Sequence, residues 1–289
     1  MQKAIVFGAG QCGRWARKII PAAGYEVTGF VDNAPDKIGN FFEGLPVHSP
    51  ENLPRLKWDV LFIAMKGEER AKTVLQQLLD MGIPRDRIEL VPSFLINMDL
   101  RCLELDLAAR RIRESGIIGA AAELGVYRGD FAAGINEALP EKRLYLFDTF
   151  EGFCERDVEV ERQRNFSSAK AGEFGDTDLE TVRSKLPFPE MAVFRQGIFP
   201  ETASGLESES FCLVSIDADL YEPVYEGLKF FYPRLSPGGT ILLHDCDNAR
   251  FRGAGEAVRR YCSEMEIFVR PLWDMHGSAV LARPGKTVD

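Results

Sequence analysis

Short apolar runs alternate with longer amphipathic stretches along this chain, and glycines stand at many of the changeovers. Ala4 to Phe7 predicts a strand, Arg14 to Ile20 a helix, and Glu26 to Val31 a second strand ending at Asp32. Val60 to Ala64 predicts a third strand, Glu68 to Met81 an amphipathic helix stopped by Gly82 and Pro84, and Ile88 to Val91 a fourth strand. Leu100 to Glu114 carries Leu103, Leu107 and Ile112 among charged residues and reads as a helix ended by Gly116. The alternation then resumes. Strands are expected at Ile117 to Leu124, Arg143 to Phe147, Met191 to Gln196, Phe211 to Ile216 and Thr240 to Leu243. Helices are expected at Asp130 to Leu139, Leu179 to Leu186, Pro223 to Leu235 and Gly255 to Glu264, and Ile267 to Arg270 with Ser278 to Ala282 reads as a terminal hairpin.

Such alternation implies an α/β fold with mostly parallel sheets and ligands at the carboxyl ends of the strands. The pattern divides into two Rossmann-like domains in tandem: residues 1–98, a linker helix over 99–115, and a second doubly wound sheet with a terminal antiparallel hairpin over 116–289. The polar stretch Glu155 to Asp176, with Phe166 and Phe174, is expected to be a long loop serving as a lid.

A chain of 289 residues is comfortable for two cores, and 45% hydrophobic with 27% charged residues is the balance of a soluble globular protein. The net charge of -9 leaves no excess of cations to neutralise phosphates, so nucleic acid is not the expected partner and small molecules are. The apolar start, broken at Gly8, is too short for a signal peptide or a membrane span. Six cysteines without CxxC spacing point to reduced thiols in a cytoplasm. Whether the chain forms a homo-oligomer is left open.

The chemistry gathers at two glycine turns about 115 residues apart, each following an apolar run. In Gly8-Ala9-Gly10-Gln11-Cys12-Gly13, backbone could approach a phosphate at a helix N-terminus, with Asp32 about 20 positions on to hold a ribose hydroxyl. In Glu123-Leu124-Gly125-Val126-Tyr127-Arg128-Gly129, an acidic residue precedes the glycines and suits a ligand with positive charge. Every strand end that should face a ligand in the second domain is polar: Glu123, Asp148, Gln196-Gly197, Asp217 with Asp219, and His244-Asp245. Asp148 is expected to accept hydrogen bonds from a ribose, and Gly125 and Gly129 to admit the ligand closely.

These motifs, with Phe147-Asp148-Thr149-Phe150-Glu151-Gly152, Gly197-Ile198-Phe199-Pro200-Glu201-Thr202, Ile216-Asp217-Ala218-Asp219-Leu220-Tyr221-Glu222 and Gly238-Gly239-Thr240, resemble the macrocin O-methyltransferase family from about residue 117 to 283. The resemblance implies a class I methyltransferase sheet, S-adenosylmethionine as cofactor, and methyl transfer to a hydroxyl of a sugar or sugar nucleotide. It implies cofactor contacts at Glu123, Gly125, Tyr127, Gly129, Asp148, Gln196 and Gly197, and Mg²⁺ on Asp217 and Asp245. Where the family typically has a second carboxylate, this chain has Cys246, a poor ligand for a hard cation, so Asp247, His244 or water is expected to complete the shell. Asp217 and Asp219 are the candidate bases, with His244 and His276 as alternatives.

The first domain resembles, more loosely, the N-terminal Rossmann-like domains of bacterial sugar acetyltransferases and polysaccharide-biosynthesis proteins, through its Phe-Gly-Ala-Gly turn, Gly29-Phe30-Val31-Asp32 and Gly44-Leu45-Pro46-Val47. That implies a nucleotide or nucleotide sugar at Gly8, Gly10, Gly13 and Asp32. The competing readings are an NAD-dependent oxidoreductase or bifunctional enzyme using these same residues, and a non-catalytic nucleotide sensor.

Overall fold

The computed structural model describes residues 2–23, 25–91, 99–274 and 276–285. The chain divides into two compact units, Met1–Met98 and Asp99–Asp289.

In the first unit, β1 (Gln2–Phe7), β2 (Tyr25–Val31), β3 (Phe41–Phe42), β4 (Leu45–His48), β5 (Val60–Ile63) and β6 (Ile88–Leu90) form a sheet in the order β3-β4-β2-β1-β5-β6. All neighbours run parallel except β3, which turns back on β4. The residues of β1 alternate between two cores. Ile5 and Phe7 pack with Leu61, Ile63 and with Val74 and Leu78 of α2 (Glu68–Asp80), whereas Ala4 and Val6 pack with Phe30 and with Ala16 of α1 (Gln11–Ile19). A strand covered on both faces has no polar position, which is why residues 4–7 read as an unbroken apolar run.

The second unit orders β7 (Ala120–Leu124), β8 (Leu144–Asp148), β9 (Ala192–Gln196), β10 (Phe211–Ile216), β11 (Leu235–Leu243), β12 (Arg270–Pro271) and β13 (Ala279–Ala282) as β12-β13-β11-β10-β7-β8-β9. Five strands are parallel, β13 is antiparallel to β11, and β12 is antiparallel to β13, so the terminal hairpin is present. The chain steps outward from β7 to β8 and β9, then crosses to β10 on the other side of β7. The loops after β7 and β10 therefore part from each other and leave a crevice at the carboxyl ends. On one face Ala121, Leu146, Leu213 and Leu242 meet α3 (Arg101–Glu114) and α4 (Asp130–Ala138), and on the other Ala122, Val214, Ile241 and Leu243 meet α7 (Tyr221–Phe231) and α8 (Arg252–Glu264).

Strands β3 and β4 were not expected, and three further elements differ from the expectation. Helix α3 is no free linker: Leu105, Ala108, Ala109 and Ile112 are buried in the core of the second unit. Leu103 and Leu107, which set the apparent apolar stripe, are 62% and 53% exposed, and the buried face is carried partly by alanines that a periodicity reading passes over. The expected lid loop opens with α5 (Glu155–Gln163), and Val158 and Ala169 are buried with Leu220 and Phe251. Its charged sequence hides so narrow a buried stripe. Finally, β11 begins at Leu235 and runs through the glycines at 238 and 239, earlier than the strand expected from Thr240. Among the described residues no helix is long and apolar enough to cross a membrane.

Because Ile112 is fully buried in this packing, Ile112→Ala should lower the unfolding free energy by about 2–4 kcal/mol in urea denaturation. A cost below about 0.5 kcal/mol, the range of exposed positions, would mean that α3 is a linker after all.

Candidate active site

Gly125, directly after β7, has φ +84, and a Cβ there would stand 2.1 Å from the carbonyl oxygen of Asp217. Gly129, just before α4, has φ +77 and packs against Val182 of α6 (Leu179–Lys185). Both glycines thus answer first to the chain's own close packing. Asp148, the last residue of β8, ties the loop between them. Its Oδ2 accepts hydrogen bonds from the backbone N–H of Val126 (2.7 Å) and Tyr127 (2.8 Å), and its Oδ1 accepts from Phe150 N–H (2.8 Å). The Tyr127 hydroxyl donates to Asp176 (2.8 Å), and Thr177 Oγ1 donates to the Tyr127 carbonyl (2.7 Å), fastening the polar insertion to this loop. Gly197 N–H donates to the Asp148 carbonyl (2.9 Å), while the exposed Gln196 donates to the Thr149 carbonyl (3.3 Å).

The first unit uses the same device. Asp32 Oδ2 accepts from Ala9 N–H (2.8 Å) and lies 3.1 Å from the Lys37 ammonium, and Oδ1 accepts from Ala34 N–H (2.9 Å). A Cβ on Gly8 or Gly13 would collide with backbone, whereas at Gly10 the nearest atom is Lys37 Nζ at 3.9 Å.

At the crevice of the second unit, charged side chains meet across β10 and β11. His244 N–H donates to the Ile216 carbonyl (3.0 Å), extending the strand pairing one step and setting His244 beside Asp217. His244 Nδ1 lies 3.0 Å from Asp217 Oδ1 and 3.0 Å from Asp245 Oδ2. Asp219 hydrogen-bonds Asp245. Asp219 and Asp245 both have left-handed backbone, φ +57 and +54, which is costly for side-chain-bearing residues and aims both carboxyls into the cluster.

Burial opposes charge on every member, and the neighbours decide. Against burial, His244 and Arg101 hold the Asp217 carboxyl well below the usual carboxylate range, and His244 lowers Asp245. Burial would lower His244, yet Asp217 and Asp245 raise it well above an ordinary imidazole. Burial, then Asp245 and Asp217, push Asp219 well up. Burial and Asp217 do the same to Glu123, which is 1% exposed. Asp219 and Glu123 are thus driven toward the neutral form, whereas Asp217, Asp245 and Asp99 are held toward the charged form beside Arg101 and His244.

Sequence reasoning missed Arg101 and Asp99 because they fall in the supposed linker. Arg101, 4% exposed, donates from Nη1 to Asp217 Oδ2 (2.9 Å) and from Nη2 to Asp99 Oδ2 (2.8 Å). His276 stacks on His244 with ring centroids 5.2 Å apart, and burial and the His244 charge lower it.

The residues whose ligand atoms come within 4.8 Å of one another are Asp217, His244 and Asp245. Of the donors expected to complete the shell, His244 is the one brought to the two carboxylates, and among the described residues Asp247 is not in the group. The left-handed turn at Asp245 carries the chain away, so that Asp247 backbone lies against Gly277. Cys246 is not in the group either, and burial raises its thiol. Two carboxylates and an imidazole fit a divalent cation, whose charge would take over from His244 in offsetting the two carboxylates.

The model of the Macrocin-O-methyltransferase (TylF) family matches residues 42–283. The chain is 28% identical over 194 residues to the 8-demethyl-8-(2,3-dimethoxy-alpha-L-rhamnosyl)-tetracenomycin-C 4'-O-methyltransferase of Streptomyces olivaceus, covering 63% of this chain and 70% of that enzyme. It is 28% identical over 142 residues to the mycinamicin III 3''-O-methyltransferase of Micromonospora griseorubida, covering 45% of this chain and 56% of that enzyme. A crystal structure of a calicheamicin methyltransferase superposes with a TM-score of 0.54 at 21% identity, over 75% of this chain and 94% of that one, a likeness of fold. The resemblance read in the motifs agrees with the family match.

Since Asp148 satisfies three backbone N–H groups, Asp148→Ala should destabilise the cofactor-free protein by about 1–3 kcal/mol, with Asp148→Asn less affected. Thermal melts of the unliganded variants check this. An unchanged melt for Asp148→Ala would mean that the loop holds its shape without the tether.

Proposed function

The chain belongs to the macrocin O-methyltransferase family, and we propose that it moves the methyl group of S-adenosylmethionine to a hydroxyl of a sugar, free or nucleotide-linked. The observation that carries the reading is the meeting of Asp217, His244 and Asp245 beside a glycine loop tied by Asp148, at the carboxyl ends of β7, β8, β10 and β11. Support for a sugar acceptor comes from the tetracenomycin relative, whose name gives a 4'-O-methylation of a rhamnosyl compound.

In this reaction the C–S bond of the sulfonium breaks as the C–O bond forms, and the acceptor hydroxyl gives up its proton. On our reading Asp217, kept ionised by its neighbours, serves the cation when one is bound, and Asp217 or Asp219 receives that proton directly when none is. The surplus of carboxylates over cations favours the positive sulfonium. Glu123, Gly125, Tyr127, Gly129, Asp148, Gln196 and Gly197 would border the cofactor. Asp217, His244 and Asp245 would hold a divalent cation such as Mg²⁺, which when bound would polarise the acceptor hydroxyl.

We read the first unit as a Rossmann-like site for a nucleotide or nucleotide sugar, in preference to NAD. Open space at Gly10 beside the Lys37 ammonium, at a helix N-terminus, suits a phosphate, and Asp32 is already engaged by Ala9 and Lys37.

With S-adenosylmethionine and TDP-rhamnose as probes, chelator should abolish methyl transfer and Mg²⁺ restore it. Asp217→Asn should lower kcat by about 10²- to 10⁴-fold while S-adenosylhomocysteine affinity holds. Failure of the wild type to bind S-adenosylhomocysteine in calorimetry would sink the reading. Separately, Gly10→Val should abolish UDP-sugar binding and leave S-adenosylhomocysteine affinity unchanged. Retained UDP-sugar binding would place that ligand elsewhere.

A further inference from the structure

Asp217 has two carboxylate oxygens with different partners. Oδ1 lies 3.0 Å from His244 Nδ1, and Oδ2 accepts from Arg101 Nη1 at 2.9 Å. Arg101 is itself gripped on several sides. Its Nε lies 3.2 Å from both Asp99 oxygens, its Nη2 donates to Asp99 Oδ2 at 2.8 Å, and its backbone N–H donates to Asp99 Oδ1 at 2.9 Å. The guanidinium carbon stands 4.5 Å over the Phe131 ring of α4. The chain just before it is pinned as well, since Leu100 N–H donates to Asp274 Oδ2 (3.1 Å), and Asp274 Oδ1 accepts from Ser278 N–H (3.0 Å).

An arginine present only to balance charge has no need of such fixation. A planar fork can hold Asp99 and Asp217 at once, which a lysine ammonium cannot do with the same geometry. Helix α3 thus brings a preset donor to one oxygen of the residue on which the chemistry turns.

We propose that Arg101 is a positioning residue for methyl transfer: by holding Oδ2 of Asp217 it fixes the carboxylate's rotation and leaves Oδ1 as the oxygen offered to His244 and to a bound cation or acceptor. This rests on the function proposed above for Asp217.

The test uses the full chain as wild type, Arg101→Met and Arg101→Lys. In metal-free crystals the Asp217 carboxylate should be rotated in Arg101→Met and close to its wild-type setting in Arg101→Lys. In calorimetry without acceptor, Arg101→Met should bind Mn²⁺ about tenfold more tightly, because a like charge beside the site is gone. Its S-adenosylhomocysteine affinity should stay within about twofold and its kcat fall by about 100-fold, with Arg101→Lys partly restoring kcat. An unmoved Asp217 in Arg101→Met overturns the proposal. So does a parallel loss of Mn²⁺ affinity, cofactor affinity and melting temperature in both variants, which marks a purely structural ion pair. Wild-type protein that takes up no Mn²⁺ overturns the metal reading instead, and the rotation of Asp217 in the metal-free crystals still decides the role of Arg101.

Discussion

Burying a carboxylate at the end of a parallel strand costs several kcal/mol unless a cation and hydrogen bonds meet it. At Asp217 that requirement draws together segments far apart in the chain: Arg101 stands 116 residues before it, and His244 follows on the neighbouring strand. Satisfying Asp217 ties α3 to the carboxyl end of the sheet and sets His244 between two carboxylates. Left-handed backbone at Asp219 and Asp245 is accepted so that their carboxyls join the same cluster. Each such residue costs about 1–3 kcal/mol, which the packed surroundings must offset. A polar cluster of this kind is a poor source of stability and a good source of definite geometry.

The glycine loops obey a related constraint. A loop with close backbone approach leaves N–H groups turned toward the crevice, and they need acceptors even without a ligand. Asp148 supplies them in the second unit and Asp32 in the first. The loop's shape is therefore set in advance, and a ligand meets it without having to order it. The acidic residue at the end of the second strand of each unit thus serves its own loop.

Most strands and their order along the chain were legible from the sequence, though the short β3 and β4 were not. Ala4 to Phe7 is apolar throughout, and Phe211 to Ile216 is apolar but for the buried Ser215, because both faces of a parallel strand are covered, and the polar residues at their ends mark where covering stops and solvent or ligand begins. The pairing of glycine turns with acidic residues at Asp32 and Asp148, and the carboxylates at 217, 219 and 245, were likewise visible as motifs. Local pattern and composition suffice where a residue's role follows from its own segment.

Only the tertiary structure decided which of those residues touch. His244, and not Asp247, completes the group around Asp217 because β10 and β11 pair in a register that continues through His244 N–H, and Asp245 then turns the chain aside. Arg101 enters because α3 buries Ala108 and Ala109 against the sheet, a face with too little hydrophobic contrast to be seen in the sequence. Helix α5 was hidden for the same reason. Periodicity records which side of an element is apolar, whereas the contacts between elements depend on register, packing depth and the balance of buried charge, and those quantities exist only once the chain has folded.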